Sequence, residues 1–375
     1  MSSPVLVHGL AVVTGVTRVL GFDPETGRLL WGDVDRAAGP LTPPAIDPGS
    51  GLAVFTEGSG PRDSAVVAVD VTTRTRRWRF ALQDLSRGGP SLADELVFVG
   101  TRDGWLYALD AKGGTLTWRK RLEGSANVAP AVSGGAVYAV GENGVNGHVR
   151  LYALASATGK IMWSSSLKGV AIGVSSPTVA DGKVFLGFGD AQVRAFDVKT
   201  GEQLWAAPVR NAFSFRSALA YSAGEVYAID LGGGVYRLDA RTGDVRWDFQ
   251  FPSFASWSSP LVLGQSVYVG TDDGTVAGID ATSGHLVWKT RLVTGPVEAF
   301  APSGDRLLSS TISARGGLMA FERDASGMLV DEPSPTVLNL PVALLNYAGG
   351  FVLVLGLLVL LFRLIIKPRP IPEER

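Results

Sequence analysis

The chain has 375 residues and a formal net charge of -1, and it contains no cysteine, which excludes disulfides, cysteine-ligated zinc and thiol catalysis. The net charge near zero and a pI near 6.3 give no electrostatic argument for nucleic-acid binding, which usually needs a basic face. Its 47 glycines, 9 tryptophans and only 18% charged residues are typical of a turn-rich, well-buried β protein.

One short pattern recurs along the chain. Its fullest copy is LYALDAKGGTLTW at 106–118, in which an apolar strand leads to an Asp, a glycine turn and a strand that carries a Trp. Seven copies lie 40 to 47 residues apart, and they end on Trp31, Trp78, Trp118, Trp163, Trp205, Trp247 and Trp288. An eighth copy, AFERDASGMLV at 320–330, has no Trp. A period near 40–45 residues is typical of a four-stranded propeller blade.

Each repeat begins with a Ser/Pro-led head, such as SSPTVADGKVFLGF at 175–188 and SSPLVLGQSVYVG at 258–270. The head predicts two strands and the Trp pattern predicts two more. Eight heads occur between Pro4 and Ala299. The predicted fold is therefore all-β, an eight-bladed β-propeller of four-stranded blades over residues 1–330.

The residue types in the pattern have separable structural roles. The Asp caps a tight turn through backbone N–H groups, and the Gly supplies a positive φ. The small Ala before the Asp lets the neighbouring blade approach. We expect the seven Trp side chains to hold blades together, each contributing roughly 4–6 kcal/mol through burial.

These residues resemble the tryptophan-docking motif of the pyrroloquinoline-quinone (PQQ) propeller family, over nearly the whole chain before its C-terminal tail. The resemblance implies a propeller and leaves two functional classes. Quinoprotein dehydrogenases bind quinone and calcium, whereas the lipoprotein scaffold of the bacterial outer-membrane β-barrel assembly machine is non-catalytic. This chain lacks the dehydrogenases' adjacent cysteine pair and any recognisable calcium set or catalytic Asp. We therefore expect no cofactor, with PQQ and calcium as the alternative.

The C-terminal composition predicts a membrane anchor. A Pro/Ser linker occupies 331–341, a transmembrane helix 342–366 and a short basic and polar tail 367–375. The run VALLNYAGGFVLVLGLLVLLF at 342–362 spans about 30 Å as a helix. Basic residues follow it directly, which predicts a cytoplasmic C-terminus and an extracytoplasmic propeller.

The start of the chain conflicts with that topology, since export requires a signal and residue 1 lies almost on the first strand. One explanation is that translation starts upstream and a signal precedes Met1, which we favour. The other is a tail-anchored protein with a cytoplasmic propeller.

Candidate binding residues lie in hairpin turns and inter-blade loops that should gather at one mouth of the propeller. The turns contribute Arg102, Asp190 and Asp272, and the loops contribute Arg87, Asn127, Phe215, Arg216, Trp257 and Glu298. Trp257 either stacks on a planar ligand or packs beside its blade. An enlarged loop, GENGVNGHVR at 141–150, adds Glu142 and His148 as oxygen-rich cation candidates. Turn formation alone explains these Asp-Gly and Gly-Asn sequences equally well.

No nucleophile elbow, phosphate loop or metal-ligand helix is visible in the sequence, and no catalytic or metal-ligating residue is assigned. The leading hypothesis is a membrane-tethered, non-catalytic propeller that binds a protein or cell-envelope partner and no nucleic acid. One alternative is a PQQ-dependent oxidoreductase coupled to the membrane. A purely structural spacer is the other.

Overall fold

The computed structural model describes residues 4–337 except 16–18, 27, 33–41, 62, 145–146, 169–172, 210–213, 254–257, 292–294, 304–305, 312–317 and 323–335. Every described residue belongs to one compact unit, Met1–Leu338. Within these residues no helix combines the length and apolarity that crossing a membrane requires. The segment predicted to do so, 342–366, lies outside the described residues.

The described residues form eight antiparallel sheets, each of four consecutive strands that pair in chain order. The first four sheets contain β1 Val5–Val7, β2 Leu10–Thr14, β3 Val19–Phe22, β4 Leu29–Gly32, β5 Ala45–Asp47, β6 Leu52–Glu57, β7 Ala65–Asp70, β8 Thr75–Ala81, β9 Ser91–Ala93, β10 Leu96–Gly100, β11 Trp105–Asp110, β12 Leu116–Arg121, β13 Ala131–Ser133, β14 Ala136–Asn143, β15 His148–Ala155 and β16 Ile161–Lys168. The other four contain β17 Thr178–Ala180, β18 Lys183–Gly187, β19 Gln192–Asp197, β20 Gln203–Pro208, β21 Ala220–Ser222, β22 Glu225–Ile229, β23 Gly234–Asp239, β24 Val245–Gln250, β25 Leu261–Leu263, β26 Ser266–Gly270, β27 Thr275–Asp280, β28 Leu286–Arg291, β29 Val297–Ser303, β30 Arg306–Thr311, β31 Leu318–Glu322 and β32 Thr336–Val337.

The sheets follow one another around a ring. The first strand of each sheet lies on the inside, where β5, β9, β13, β17, β21, β25 and β29 are neighbours in that order and β1 lies beside β29. Arg306 Nη1 donates a 2.5 Å hydrogen bond to the carbonyl of Glu25, which joins the eighth sheet to the first. The core lies between neighbouring sheets, as where Val54 and Val66 of the second sheet pack with Val97 and Tyr107 of the third.

The predicted fold of eight complete blades needs correction. Seven sheets are complete blades, in which every strand has three or more residues and the last strand carries the repeat's Trp. The eighth sheet is incomplete, because β32 has only two residues and pairs with β31 at two positions. Its copy of the pattern has no Trp to fix a full fourth strand. The described residues therefore form seven complete blades, a residual eighth sheet and no helix, and β32 lies within the segment predicted as a linker.

The Trp side chains of five blades contact the following blade in one geometry. The indole N–H donates to the carbonyl just after the Asp position: Trp78 to Ala111 at 2.8 Å, Trp118 to Ser156 at 2.8 Å, Trp163 to Val198 at 2.9 Å, Trp205 to Ala240 at 3.2 Å and Trp247 to Ala281 at 3.0 Å. The ring lies on the glycine of that same turn. A Cβ added to Gly243 would lie 2.7 Å from the Trp205 ring, so glycine is required both for its φ of +81° and for this approach.

The small residue of the pattern has a different role from the predicted one. Ala68, Ala108, Ala153 and Ala195 are the cross-strand partners of their own blade's Trp. The small side chain therefore leaves room for the indole to lie across its own sheet, rather than for the neighbouring blade.

Trp31 and Trp288 depart from this geometry. Each faces a glycine instead of an alanine, Gly21 and Gly278, and a Cβ there would overlap the indole nitrogen. In the described part of the chain, both indole nitrogens are buried without a hydrogen-bond partner. Blade 2 also lacks the turn glycine on which the other five indoles lie, since Arg74 stands at that position with a φ of 61°.

Candidate functional site

Strand direction places the predicted binding segments on one face of the propeller. Because the strands of each blade alternate in direction, hairpins between second and third strands lie on the same face as the connections between blades. We call this face the loop face. Its segments bond to one another: Arg102 N donates to Leu85 O at 2.8 Å, and Leu231 N donates to Ser214 O at 2.9 Å. In these two places a connection between blades is thereby fixed to a hairpin.

In blades 3 and 4 the predicted residues hold loops together. Arg102 forms an ion pair with the largely buried Asp84, at 3.0 Å between Nη2 and Oδ1. The Asn127 side-chain oxygen accepts the backbone N–H of Arg87 at 3.0 Å, which joins two successive inter-blade connections. The structure therefore brings Arg87 and Asn127 together, and Asp84 was missed because a single Asp in a loop carries no sequence signal of its partner.

The enlarged loop predicted at 141–150 is mostly strand. β14 and β15 extend eight residues each, and Asn143 and His148 are Cα partners at the end of the hairpin. His148 also pairs with Lys168 of β16, so it lies within a sheet rather than in an oxygen-lined loop. Gly and Asn favour tight hairpin turns. The residues on either side of the turn therefore continue to pair across β14 and β15.

Glu142 contacts a connection that belongs to the next blade. Its Oε1 accepts the backbone N–H of Gly173 at 2.5 Å, although Gly173 belongs to the connection into blade 5. The position of a Cβ on Gly173 would lie 3.3 Å from Ser214 Oγ and 3.6 Å from Arg216 Nε. Glu142, Gly173, Ser214 and Arg216 therefore meet from three successive blades, and we call them the loop cluster.

The loop cluster combines exposed and buried polar groups. Arg216 is exposed, whereas Ser214 Oγ is buried and has no hydrogen-bond partner among the described residues. Gly173 has a φ of +108°, which a glycine adopts without strain. Sequence reasoning identified both charged members, but it could not identify Gly173 or Ser214, because only the ring geometry brings their connections together.

The acidic turns of blades 5 and 7 are satisfied within their own blades. Asp190 pairs with the guanidinium of Arg194, which also lies over the Phe188 ring at 4.5 Å. In blade 7, Asp272 is exposed in the β26–β27 hairpin beside Asp273. Burial raises the pKa of Asp273, but hydrogen bonds from Thr271 and Thr275 outweigh it and hold that pKa below its usual value. Turn formation accounts for these aspartates.

Three further candidates are placed differently from the prediction. Phe215 is fully buried, at 0% exposure, and contacts the Tyr236 ring at 6.0 Å between blades 5 and 6. It is a core residue, because the chain turns an apolar side chain inward just before the exposed Arg216. Glu298 lies within β29 rather than in a loop. Trp257 lies outside the described residues.

A buried carboxylate that sequence reasoning missed lies in blade 6. Asp230 is 1% exposed, and it accepts the Tyr236 hydroxyl at 2.8 Å and the Gly234 N–H at 3.0 Å. Burial, followed by this hydrogen bond, raises the pKa of Tyr236. Asp230 stands before three glycines in a hairpin, so its sequence context was that of an ordinary turn.

Acidic and histidine side chains do not cluster in threes among the described residues. No three His, Asp or Glu side chains come close enough among them to hold a metal ion. Several charged residues of the loop face instead pair with one another, as in the ion pairs Arg102–Asp84 and Arg194–Asp190. The loop cluster adds a junction between three successive blades.

Comparison with known proteins agrees with this architecture. A family model described as the outer membrane protein assembly factor BamB matches residues 62–214 and 209–332. The chain belongs to this family of PQQ-like repeat proteins. BamB of Yersinia pestis is 25% identical over 275 residues, which cover 66% of this chain and 67% of that protein. The chain spans about two thirds or less of the length of the first curated BamB relatives that it matches.

Solved structures show the same fold. The crystal structure of BamB from Moraxella catarrhalis superposes with a TM-score of 0.70 at 20% identity, covering 86% of this chain and 96% of that one. Quinohemoprotein alcohol dehydrogenase from Comamonas testosteroni superposes with a TM-score of 0.62 at 17% identity, covering 77% and 66%. At these identities both likenesses concern the fold alone, so BamB and a dehydrogenase share one architecture.

Proposed function

We propose that this BamB-family propeller is a non-catalytic scaffold that binds a partner protein in outer-membrane protein assembly. The observation that carries the proposal is the loop cluster, in which Glu142, Gly173 and Arg216 unite the loop faces of blades 4, 5 and 6. The propeller holds these exposed polar loops in fixed positions. Such an arrangement suits a recognition surface, because binding residues commonly lie on loops held by a scaffold. The name of the BamB relatives, assembly factor, supports the same role.

Site-specific crosslinking tests this surface. A photoreactive amino acid at position 216 should give a discrete adduct with an assembly protein in cells. The matched control is position 241, because Arg241 is also exposed in blade 6 but lies in the β23–β24 turn, on the opposite face. The substitution Glu142→Ala should reduce the adduct at 216 by releasing Gly173. Equal adducts at 216 and 241, or none at 216, would contradict the proposal.

The proposal includes no cofactor, and the quinoprotein alternative has a direct test. Purified protein is incubated with PQQ and calcium, and both bound-quinone absorbance and dye-linked alcohol oxidation are measured. We expect neither signal. Turnover that depends on added PQQ would establish the oxidoreductase alternative and overturn the scaffold assignment.

Anchoring is the second part of the proposal. The apolar run at 342–362 and the basic residues after it support a single membrane span within 342–366, with the propeller in the envelope and the C-terminus in the cytoplasm. Compartment reporters fused to each end test this topology. An N-terminal reporter that is active only in the cytoplasm would reverse it.

A further inference from the structure

Blades 2 and 3 have a basic outer rim in a chain that is close to neutral. Residues 45–121, which form these two blades, contain eleven Lys or Arg and nine Asp or Glu, a net of +2, whereas the whole chain has a net charge of -1. Six of the eleven cations lie on β8 and β12, the outermost strands of their sheets. The backbone edge of an outermost strand is available for pairing with another strand.

The two basic strands differ in how their charges are compensated. On β8, Arg77 pairs with Asp70 at 2.5 Å and Arg79 pairs with Glu57 at 2.8 Å. On β12, Arg119, Lys120 and Arg121 are consecutive, and none forms an ion pair within the described part of the chain. The uncompensated positive charge of this rim is therefore concentrated on β12.

Two of these cations are held in a fixed arrangement. The Arg119 guanidinium lies 4.6 Å, and that of Arg121 5.6 Å, from the ring centre of Trp105. Trp105 begins the neighbouring strand β11 and is the cross-strand partner of Arg121. Stacking on an indole orients a guanidinium while leaving its N–H groups available to carboxylates. Both arginines remain exposed.

Their spacing matches that of a second strand. Arg119 and Arg121 are two residues apart on β12, so they lie on one face at a separation of about 6.6 Å. A strand paired with β12 presents alternate side chains to that face at the same interval. Carboxylates at positions i and i+2 of such a strand would each face one guanidinium.

We propose that the free edge of β12 is a docking site for an acidic β-strand of a partner protein, whose alternate carboxylates pair with Arg119 and Arg121. The site lies on the outer rim and is separate from the loop cluster, although it rests on the proposed function in treating the chain as a protein-binding module. The like charges that discourage pairing between two copies of β12 attract a strand of opposite charge.

The test uses the detergent-solubilised full chain and a fluorescent octapeptide that alternates threonine with glutamate. Binding is followed by anisotropy. We expect saturable binding that weakens severalfold from low salt to roughly 0.3 M, because salt screens exposed charges. The double substitution R119E/R121E should weaken it at least tenfold. If charge reversal lowers the melting temperature, the neutral double variant R119Q/R121Q is measured in its place.

The chain supplies a matched control on another edge strand. Lys289 and Arg291 have the same spacing on β28, but their neighbouring strand begins with Thr275 where β11 has Trp105. K289E/R291E should leave peptide binding unchanged. Equal loss in both double variants would show a general charge effect and overturn the proposal.

Two further probes separate strand addition from other modes. The same peptide methylated on alternate backbone nitrogens keeps its charges but cannot pair with an edge, and its binding should be lost. Vesicles rich in phosphatidylglycerol should not bind through Arg119 and Arg121. Undiminished binding of the methylated peptide, vesicle binding that R119E/R121E abolishes, or no peptide binding at all would each refute the site. Crosslinking at position 216 reports independently on the loop cluster.

Discussion

Asp197 shows how a single side chain stabilises a turn of the repeat. Its Oδ1 accepts the N–H groups of Lys199 at 2.8 Å and Thr200 at 2.9 Å. These bonds hold the pKa of Asp197 below its usual value, because they stabilise the charged carboxylate. The bond from Thr200 has the larger effect. Asp239 and Asp280 have lowered pKa values for the same reason.

A pH dependence of stability follows from these turns. A carboxylate whose pKa is lower in the folded state stabilises the fold above its unfolded pKa, near 3.9, and this contribution is lost as the pH falls through the folded pKa. We expect the free energy of unfolding in urea to decrease below about pH 4. Asp197→Asn should make that decrease shallower. Identical pH profiles for the variant and the wild-type protein would contradict the role of the turn.

Substitutions of two glycines in blade 6 distinguish the cost of backbone strain from the cost of a clash with Trp205. Gly243 has a φ of +81° and lies under the indole, whereas Gly224 has a φ of +83° and nothing within 4 Å of an added Cβ. Gly224→Ala should cost about 1–2 kcal/mol through its φ alone. Gly243→Ala should cost a further 1–3 kcal/mol, roughly, because the indole must move. Urea unfolding measures both, and equal losses would show that the Trp205 contact is unimportant.

At the scale of the element, the indole joins one blade to the next. Trp205 is 9% exposed, its ring centre lies 5.9 Å from that of Phe185 in its own blade, and it donates to Ala240 of the next blade. Trp205→Ala should lower the free energy of unfolding by about 3–5 kcal/mol through the cavity and the lost hydrogen bond. Leu204→Ala, at a 47% exposed position on the same strand, should change it by less than about 0.5 kcal/mol. A Trp205→Ala protein with the wild-type melting temperature would contradict the interlock.

Blade 6 shows that the interlock tolerates a large residue in the small position. Arg237 stands opposite Trp247, where four other blades have alanine. Its guanidinium reaches the next blade and donates to the carbonyls of Ala281 at 2.8 Å and Thr282 at 3.0 Å. Arg237 and Trp247 therefore bind the same carbonyl, and the long side chain adds a contact between blades 6 and 7 instead of obstructing one.

At the scale of the whole molecule, the eighth sheet forms a weaker seam of the ring. Its copy of the repeat has no Trp, and within the described residues Trp288, like Trp31, lacks the hydrogen bond that five other indoles make to the following blade. The described contacts that close the ring to the first blade include those of β29 with β1 and the hydrogen bond of Arg306. We expect amide hydrogens of β30 to exchange at least about tenfold faster than those of β22, since elements with fewer stabilising contacts open first. Hydrogen-exchange mass spectrometry measures this, and equal rates would show that closure is as stable as an interior blade.

The placement of charged loops is also decided at this scale. Three acidic residues form ion pairs within the described blades, namely Asp84, Asp190 and Glu57. These polar residues of the loop face therefore stabilise loops. The loop cluster and the β12 edge differ, because each leaves arginine exposed at a junction that the architecture holds in place.

The sequence by itself determined the repeat unit of this protein. A fixed interval between Trp residues, a glycine that needs a positive φ and an Asp that caps its turn are local requirements, so each can be read wherever it occurs. They specified four-stranded antiparallel blades and the family. Both charged members of the loop cluster, Glu142 and Arg216, were also candidates from the sequence, because they lie in segments between predicted strands. The membrane segment remains a sequence prediction, because 342–366 lies outside the described residues.

Only the tertiary structure decided which residues from different blades meet. The incompleteness of the eighth sheet, the burial of Phe215, the strand position of His148 and the approach of Gly173 to Arg216 all depend on how the sheets are arranged around the ring. The hydrogen bonds from five indoles to the following blade have the same origin, because each carbonyl acceptor lies 33 to 38 residues further along the chain. The repeat pattern predicts which strands and turns each blade contains. Contacts between blades depend on the distances between residues of different sheets, and no local pattern encodes those distances.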